Sequence, residues 1–228
     1  MVTLNVEVQT RNAREQRRFE VSELVIAGWA GRDVAAMEHH IRELEELGIA
    51  RPRATPLFYR VSASRLATSE VLDVVGGDSS GEVECVLVAS EGRLFVGVGS
   101  DHTDRKVEAY GVTVSKQICD KPVSSVFWPW DEVADHWDDL TIASFATIDG
   151  ETVPYQEGSV AGLLHPEELI RKYTGGDTLA DGTAMFCGTL PALGGVRPAR
   201  AFEARLCDPV LSRELKLGYQ VRELEIAD

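Results

Sequence analysis

The stretch Gly81-Glu82-Val83-Glu84-Cys85-Val86-Leu87-Val88 places two carboxylates within an apolar run that is typical of a β-strand. Residues two apart in a strand share a face and lie roughly 7 Å apart, so Glu82 and Glu84 point the same way. Two like charges on a half-buried face repel each other and are costly to desolvate. A hard divalent cation removes both problems, because carboxylate oxygens are its preferred ligands.

A third carboxylate follows one hairpin later. The run Arg93–Ser100 predicts the partner strand, with a turn at Ser90-Glu91-Gly92, and Asp101 comes directly after it. Gly97 and Gly99 allow a close approach of neighbouring backbones. Alone, the two glutamates are best interpreted as a solvated strand face; with Asp101 they predict an open oxygen site for a metal ion.

Composition limits the classes of partner. The 228 residues carry a formal net charge of −14, which argues against nucleic acid or an anionic membrane surface as a partner. No run approaches the roughly 20 apolar residues of a membrane helix. The first residues show no apolar signal region, so we expect a cytoplasmic protein. The four cysteines have no metal-type spacing and are expected to be buried free thiols.

The order of predicted elements indicates an α+β fold in which β-structure dominates. Asp33 is a candidate N-cap for an amphipathic helix that stops at Gly48, and Pro166 begins a second helix over 165–173. Asp149-Gly150 is the strongest hairpin signal. We divide the chain into residues 1–55, with N-terminal strands and a helix, and a β-rich core over 56–228. The predicted strands are 3–10, 18–27, 57–61, 71–75, 82–88, 93–98, 112–114, 140–148, 151–153, 185–189, 201–206 and 218–224.

Several polar residues near the carboxylates are candidates for substrate contacts. Arg105 has the fork geometry that matches a substrate carboxylate, although the turn around Asp101 is also explained by local hydrogen bonds. Lys116 falls on the inward face of an apolar alternation, where a lysine is rare unless it is paired or functional. The alternative is a lysine that reaches solvent. Gln117 is suited to bind a substrate oxygen.

Two further segments carry candidate residues. His40 and Glu43 are three apart on the predicted helix, so they face each other, and a carboxylate that orients an imidazole creates a general base. A solvated helix edge with two chance histidines is the alternative, and His39 is a rival for the base. Gly188 and Thr189 lie where a strand runs into a Gly/Pro turn, which is structural by default and also suited to line a polar pocket.

Taken together in chain order, these motifs resemble the fumarylacetoacetate hydrolase superfamily over most of the chain from about residue 28 onward. The departures indicate a divergent branch: Asp33 replaces an Asn, Lys106 an Asp, Cys187 a Thr and Leu190 a Pro. The motifs that carry the resemblance are Gly31-Arg32-Asp33, His40-Ile41-Arg42-Glu43, Glu82-Val83-Glu84, Asp101-His102-Thr103-Asp104-Arg105, the segment 116–123 with Pro122-Val123, and the segment 187–195.

The resemblance implies a mixed β-sandwich or roll of the fumarylacetoacetase C-terminal-like type, with a small N-terminal strand–helix lid region. It implies a hydrolase that depends on Mg²⁺ or Mn²⁺, with Ca²⁺ as a substitute in a crystal, and that cleaves a C–C bond in a dicarbonyl or keto-acid substrate through a metal-bound enolate. The chain would act as a homodimer. The implied metal ligands are Glu82, Glu84 and Asp101; the implied catalytic residues are His40, Glu43 and Lys116; the implied substrate-binding residues are Arg105, Gln117, Gly188 and Thr189.

The same site would serve decarboxylation, tautomerisation or hydration of keto or sugar acids, and the sequence does not separate these reactions. A metal-stabilised binding protein without catalysis is the alternative from another class. The degraded loop over 188–195 favours it, whereas the placement of Lys116 and of His40 with Glu43 argues against it.

Overall fold

The computed structural model describes residues 1–46 and 51–227. In chain order the strands and helices are β1 (Val2–Gln9), β2 (Arg14–Val21), β3 (Glu23–Gly28), α1 (Val34–Glu46), β4 (Leu57–Val61), β5 (Leu66–Ala67), β6 (Val71–Val75), β7 (Ser79–Ser80), β8 (Val83–Ser90), β9 (Arg93–Ser100), β10 (Thr103–Asp104), α2 (Arg105–Tyr110), α3 (Val112–Ile118), β11 (Lys121–Pro122), β12 (Val126–Pro129), β13 (Thr141–Ile148), β14 (Glu151–Ser159), α4 (Pro166–Thr174), β15 (Thr183–Phe186), β16 (Ala201–Asp208) and β17 (Arg213–Leu224).

Two large sheets form the body of the fold. The first has eight strands in the order β2-β1-β12-β9-β8-β15-β3-β4, and the second has five in the order β14-β13-β16-β17-β6. Both are mixed, since β1 runs parallel to β12, β15 to β3 and β17 to β6. The N-terminal strands β1 to β3 therefore lie in the same sheet as β8 and β9.

Strand β8 lies at the centre of the eight-stranded sheet and is buried on both faces. Val83, Cys85 and Leu87 pack into the core cluster that reaches the five-stranded sheet, whereas Val86 and Val88 pack into a second cluster on the opposite face. A strand covered on both sides has an almost continuous apolar sequence. This explains why the run after Glu84 contains no polar residue until Ser90.

The signals for the helix starts and for the hairpin are confirmed, whereas the predicted helix stop at Gly48 lies outside the described residues. The Asp33 carboxylate accepts from the N–H groups of Ala35 and Ala36 at 2.9 and 3.0 Å, as expected of the N-cap of α1. Helix α4 has Pro166 in its first turn. Asp149-Gly150 joins β13 to β14 in an antiparallel pair.

Two element predictions are wrong. The single strand over 18–27 is divided between β2 and β3 at Ser22, because the N–H groups of Ser22 and Glu23 both turn to the Gly182 carbonyl. The strand over 112–114 is part of helix α3 instead. There Ser115 and Lys116 face inward and are buried, and this tertiary contact overrides the β-propensity of the valines.

The cysteines are free thiols as predicted: Cys85, Cys119 and Cys187 are buried, and Cys207 is partly buried. Among the described residues there is no helix long and apolar enough to cross a membrane.

Candidate metal centre

The pairing of β8 with β9 brings the three predicted carboxylates together. Glu84 lies opposite Gly99, and the pairing continues one step beyond the strands, where the Asp101 N–H donates to the Glu82 carbonyl at 2.9 Å. Glu82 and Asp101 are therefore cross-strand neighbours, and Glu84 lies two residues along on the same face. One carboxylate oxygen from each residue lies within 4.8 Å of the other two.

Lys116 places its ammonium between two of these carboxylates. Its Nζ donates to Asp101 Oδ2 and, at 3.1 Å, to Glu82 Oε2. It also lies 5.9 Å from the centre of the Tyr59 ring. Lys116 is 6% exposed, so it faces inward as predicted, although from a helix rather than a strand, and its catalytic role stays a prediction.

Arg105 holds the other side of Glu82. Its Nη1 donates to Glu82 Oε1 and to Glu108 Oε2, both at 2.9 Å, while Nε donates to Ser80 Oγ at 2.8 Å. The Arg105 side chain is only 8% exposed. These contacts orient Glu82, and the substrate-binding role of Arg105 stays a prediction.

Lys121 is a part of the site to which the sequence reasoning gave no role. It is fully buried on β11, donates to the His102 carbonyl at 2.6 Å, and lies with Nζ 3.0 Å from Asp101 Oδ1. That oxygen accepts no hydrogen bond in the described part of the chain, so Lys121 contributes charge rather than a well-aligned donor. The available signal was a second lysine directly before Pro122-Val123, in the motif already noted.

Glu84 is buried with a backbone donor as its partner. The Gly188 N–H donates to Glu84 Oε2 at 2.7 Å. Gly188 has a φ of +92°, and a Cβ there would lie 2.7 Å from Ala30 Cβ, so the turn that aims this N–H needs glycine.

The electrostatic environment differs between the two glutamates. Burial opposes ionisation of Glu82, but Lys116 and Arg105 outweigh it and lower the Glu82 pKa to about 2. Burial raises the pKa of Glu84 well above its usual value, and repulsion from Asp101 adds to the effect. The Lys116 pKa is raised despite burial, because Asp101 and Glu82 stabilise its charge. The centre thus has one carboxylate that lacks a countercharge of its own.

These features fit a divalent cation. Three hard oxygen donors lie within reach of one ion, Glu84 is destabilised as an anion, and buried Asp101 Oδ1 has an open acceptor position among the described residues. Lys116 contacts two of the same three residues, so such an ion would have to share or take over their oxygens.

His102 is adjacent to Asp101 but faces away from the centre. Its ring nitrogens lie 2.9 Å from the Tyr219 hydroxyl and 2.8 Å from Ser79 Oγ, and the side chain is fully buried. Burial and the nearby charges of Lys121 and Arg105 lower its pKa to about 3. His102 is therefore a neutral structural residue in this arrangement.

Thr189 and Gln117 make structural hydrogen bonds. The Thr189 hydroxyl donates to the Val83 carbonyl at 2.7 Å, beside the two glutamates. Gln117 is exposed on α3 and donates from Nε2 to the Arg60 carbonyl at 2.8 Å. Their substrate-binding roles stay predictions.

Gln156 on β14 is a second residue that the sequence reasoning missed. Its Oε1 accepts from the Val83 N–H at 2.9 Å and from Ser144 Oγ at 3.0 Å. Its Nε2 donates to Thr189 Oγ1 at 2.7 Å and to the Leu190 carbonyl at 2.6 Å. A buried amide from the five-stranded sheet thus fixes the start of β8, and no sequence motif marked it.

The predicted base lies on helix α1. The side chains of His40 and Glu43 are outside the part of the chain that the structure describes, so their roles stay predictions. His39 is exposed on the same helix.

Two cavities lie away from the carboxylates. One of about 390 Å³ is lined by residues 53–58 and 172–173, and one of about 210 Å³ is lined by residues of the segments 147–150 and 198–200.

A model for a family of proteins of unknown function, DUF2848, matches residues 27–219. The chain belongs to the DUF2848 family. No curated protein is significantly similar to this DUF2848 chain in sequence.

Solved structures similar to this DUF2848 chain have the fumarylacetoacetate hydrolase fold. A 2-keto-3-deoxy-D-arabinonate dehydratase complexed with magnesium and 2,5-dioxopentanoate has a TM-score of 0.65 at 16% identity, over 94% of this chain and 78% of that chain. A protein assigned to the fumarylacetoacetate hydrolase family from Yersinia pestis CO92 has a TM-score of 0.60 at 16% identity, over 90% and 94%. The protein Cg1458 has a TM-score of 0.63 at 15% identity, over 97% and 89%.

The fold predicted from the resemblance is confirmed: this DUF2848 chain has the fumarylacetoacetate hydrolase fold. The homodimer and the cytoplasmic location stay predictions.

Proposed function

We propose that this protein is a divalent-cation-dependent enzyme that acts on a keto acid or dicarbonyl compound and cleaves a C–C bond by hydrolysis. The observation that carries the proposal is the meeting of Glu82, Glu84 and Asp101 within 4.8 Å at the ends of two central strands. The similar solved structure with bound magnesium and 2,5-dioxopentanoate supports the choice of ion and of substrate class.

In the proposed enzyme the three carboxylates hold Mg²⁺ or Mn²⁺. Such an ion, when bound, withdraws electron density from the oxygens of a keto acid and so stabilises negative charge at the reacting carbons. The protein keeps the ligands in place: Arg105 orients Glu82, the Gly188 N–H orients Glu84, and Lys121 attracts Asp101. Fixed partners of this kind reduce the reorganisation needed during reaction.

The positive charges of the site suit an anionic substrate. Lys116 lies among the carboxylates and would supply charge beside a substrate oxygen. Gly188 and Thr189 border Glu84 and Val83, which places them at the edge of the same centre. Arg105 and Gln117 complete the proposed substrate-binding set.

Hydrolysis needs a group that takes a proton from water. We assign this role to His40 with Glu43 as its orienting partner, with helix α1 as a lid that excludes bulk water from the substrate. His39, the adjacent histidine on the same helix, is the rival for the base.

Dehydration of a keto sugar acid is the second candidate reaction. The observation that favours it is the similarity to 2-keto-3-deoxy-D-arabinonate dehydratase, at a TM-score of 0.65. Both reactions would use a keto acid next to an ion held by the same three carboxylates, and they would differ in the bond that breaks.

The test is a substrate panel with the EDTA-treated full chain, assayed with and without added Mg²⁺. Acylpyruvates report C–C hydrolysis through loss of the dicarbonyl absorbance, and 2-keto-3-deoxy sugar acids report dehydration through the new aldehyde. We expect Mg²⁺-dependent turnover of an acylpyruvate. We expect His40→Ala to lower it by about 100-fold or more, since a general base contributes roughly 10²–10⁴.

His39→Ala is the matched control and should retain turnover. Loss of turnover in His39→Ala but not in His40→Ala would move the base to His39. Turnover of the sugar acids alone would replace hydrolysis by dehydration. Mg²⁺ binding without turnover of either class would make the chain a binding protein.

A further inference from the structure

Helix α3 inserts a charge into the carboxylate centre. Lys116 Nζ contacts Asp101 Oδ2 and Glu82 Oε2, two of the three residues that could bind one ion. A primary ammonium is a compact cation with three donors and can replace a metal ion as a countercharge for two carboxylates.

The helix also packs against β4, β10 and α2, but its remaining polar side-chain contacts are few and peripheral. The helix has seven residues, and Thr113, Val114, Gln117 and Ile118 on its outer side are exposed. The Gln117 amide donates to the Arg60 carbonyl, whereas the Ser115 hydroxyl donates within the helix to the Val112 carbonyl. Lys116 is thus the main polar link between α3 and the centre.

The net charge of the centre depends on whether the Lys116 ammonium is in contact with its carboxylates. The three carboxylates and Glu108, which pairs with Arg105, face three cationic side chains: Arg105, Lys116 and Lys121. A divalent cation added to that set leaves an excess of positive charge in a largely buried site. If Lys116 withdraws, the same ion makes the set neutral, and an uncompensated buried charge is costly.

We propose that Lys116 substitutes for the metal ion. Its ammonium pairs with the Glu82 and Asp101 carboxylates when no divalent ion is bound and leaves their oxygens when one binds. The proposal rests on the proposed function only in that a divalent ion binds these carboxylates. Ion binding then breaks the ionic link between α3 and the centre, and the displaced lysine, still held beside it by the helix, becomes available to an anionic substrate.

The test compares Mn²⁺ binding, without substrate, by titration calorimetry of the EDTA-treated wild type, Lys116→Met and Lys106→Met. Methionine keeps the length of the lysine stem and removes the charge. Lys106 is exposed on the neighbouring helix α2 and is the matched control. We expect Lys116→Met to bind Mn²⁺ about tenfold more tightly than wild type, a size common for coupled sites, and Lys106→Met to match wild type.

Equal or weaker binding by Lys116→Met overturns the inference while leaving the proposed function standing. If neither wild type nor Lys116→Met binds Mn²⁺, the proposed function fails, and this inference fails with it. Binding by Lys116→Met but not by wild type supports the inference in its strongest form.

A second measurement uses wild type alone and does not depend on the folding of a variant. An amine-acetylating reagent is applied with and without saturating Mn²⁺, and each lysine is quantified by mass spectrometry. Displacement predicts that Mn²⁺ increases labelling of Lys116 severalfold and leaves Lys106 unchanged. Unchanged or reduced labelling of Lys116 overturns the inference.

Discussion

Two buried ionic clusters in this protein resemble each other in composition and differ in arrangement. The carboxylate centre is formed by Glu82, Glu84 and Asp101. The second cluster, here called the β17 ion cluster, is formed by Glu132, His136, Asp208 and Arg213. In both, acidic side chains lie against cationic ones away from solvent.

In the β17 ion cluster every carboxylate oxygen accepts a hydrogen bond. Arg213 donates to Asp208 Oδ2 at 3.1 Å and to Glu132 Oε2 at 2.7 Å. Asp208 Oδ1 accepts from two backbone N–H groups and lies 3.0 Å from His136 Nε2, while Glu132 Oε1 accepts from the Arg11 N–H. Arg213 also stacks on Trp128, 4.6 Å from the ring centre.

In the carboxylate centre, by contrast, the hydrogen bonding of the carboxylate oxygens is incomplete. Its three acids crowd together, Asp101 Oδ1 lacks a hydrogen bond among the described residues, and burial raises the pKa of Glu84 well above its usual value. A cluster whose carboxylate oxygens all accept hydrogen bonds stabilises a fold, whereas crowded acids with an open acceptor position indicate a place for an additional cation. Burial and charge alone do not distinguish the two clusters. They differ in whether each carboxylate oxygen accepts a hydrogen bond.

The largest expected effect is on stability in the β17 ion cluster. Arg213→Met leaves Asp208 and Glu132 buried without their cation, so we expect a loss of roughly 3–5 kcal/mol in the free energy of unfolding. Mn²⁺ affinity should not change. Urea unfolding and titration calorimetry measure the two quantities.

Arg222→Met is its control, because Arg222 pairs with Asp73 at the solvent-exposed surface, where the loss of an ion pair should change stability far less. A change of Mn²⁺ affinity in Arg213→Met, or a loss no greater than in the control, would show that the two clusters are not functionally distinct.

Glu84→Gln should have the opposite signature. It removes one of three ligands, so Mn²⁺ affinity should fall by at least about 100-fold, more than is typical of changes around a ligand. It also relieves repulsion from Asp101 and Glu82, so the ion-free protein should be no less stable than wild type. Calorimetry and urea unfolding test both statements. Retention of wild-type Mn²⁺ affinity would rule out Glu84 as a ligand.

Gly188→Ala tests the support of that ligand and should have the smallest effect. The added Cβ would meet Ala30 Cβ at 2.7 Å at a positive φ, so we expect a loss of about 1–3 kcal/mol in stability and weaker Mn²⁺ binding through a displaced Glu84. Gly195→Ala is the control, since φ is +83° there but no atom lies within 4 Å of a Cβ. Equal Mn²⁺ affinities in the two variants would show that the turn at Gly188 does not position Glu84 for metal binding.

The sequence predicted the elements whose signals are local. The alternation and turn chemistry around Glu82 and Asp101 placed both on adjacent strands, and the pairing rule placed their carboxylates together. The hairpin at Asp149-Gly150 and the N-cap at Asp33 followed in the same way.

The parts that were missed depend on distant segments. Lys116 lies on a helix because its ammonium reaches acids 15 and 34 residues away, which no local pattern encodes. Lys121 and Gln156 join the centre only through the packing of β11 and β14. Nothing in the types of these residues distinguishes them from ordinary surface residues.

The amide of Gln156 determines whether the carboxylate centre could be transferred to another protein scaffold. All three acids lie on or beside one hairpin, which suggests a module that could be grafted onto another scaffold. Yet the first residue of that hairpin is fixed from the other sheet, and the same amide secures the loop that begins at Thr189. A transplanted hairpin would carry the three carboxylates without the Gln156 amide that fixes the start of the strand. The metal-binding geometry therefore depends on both sheets.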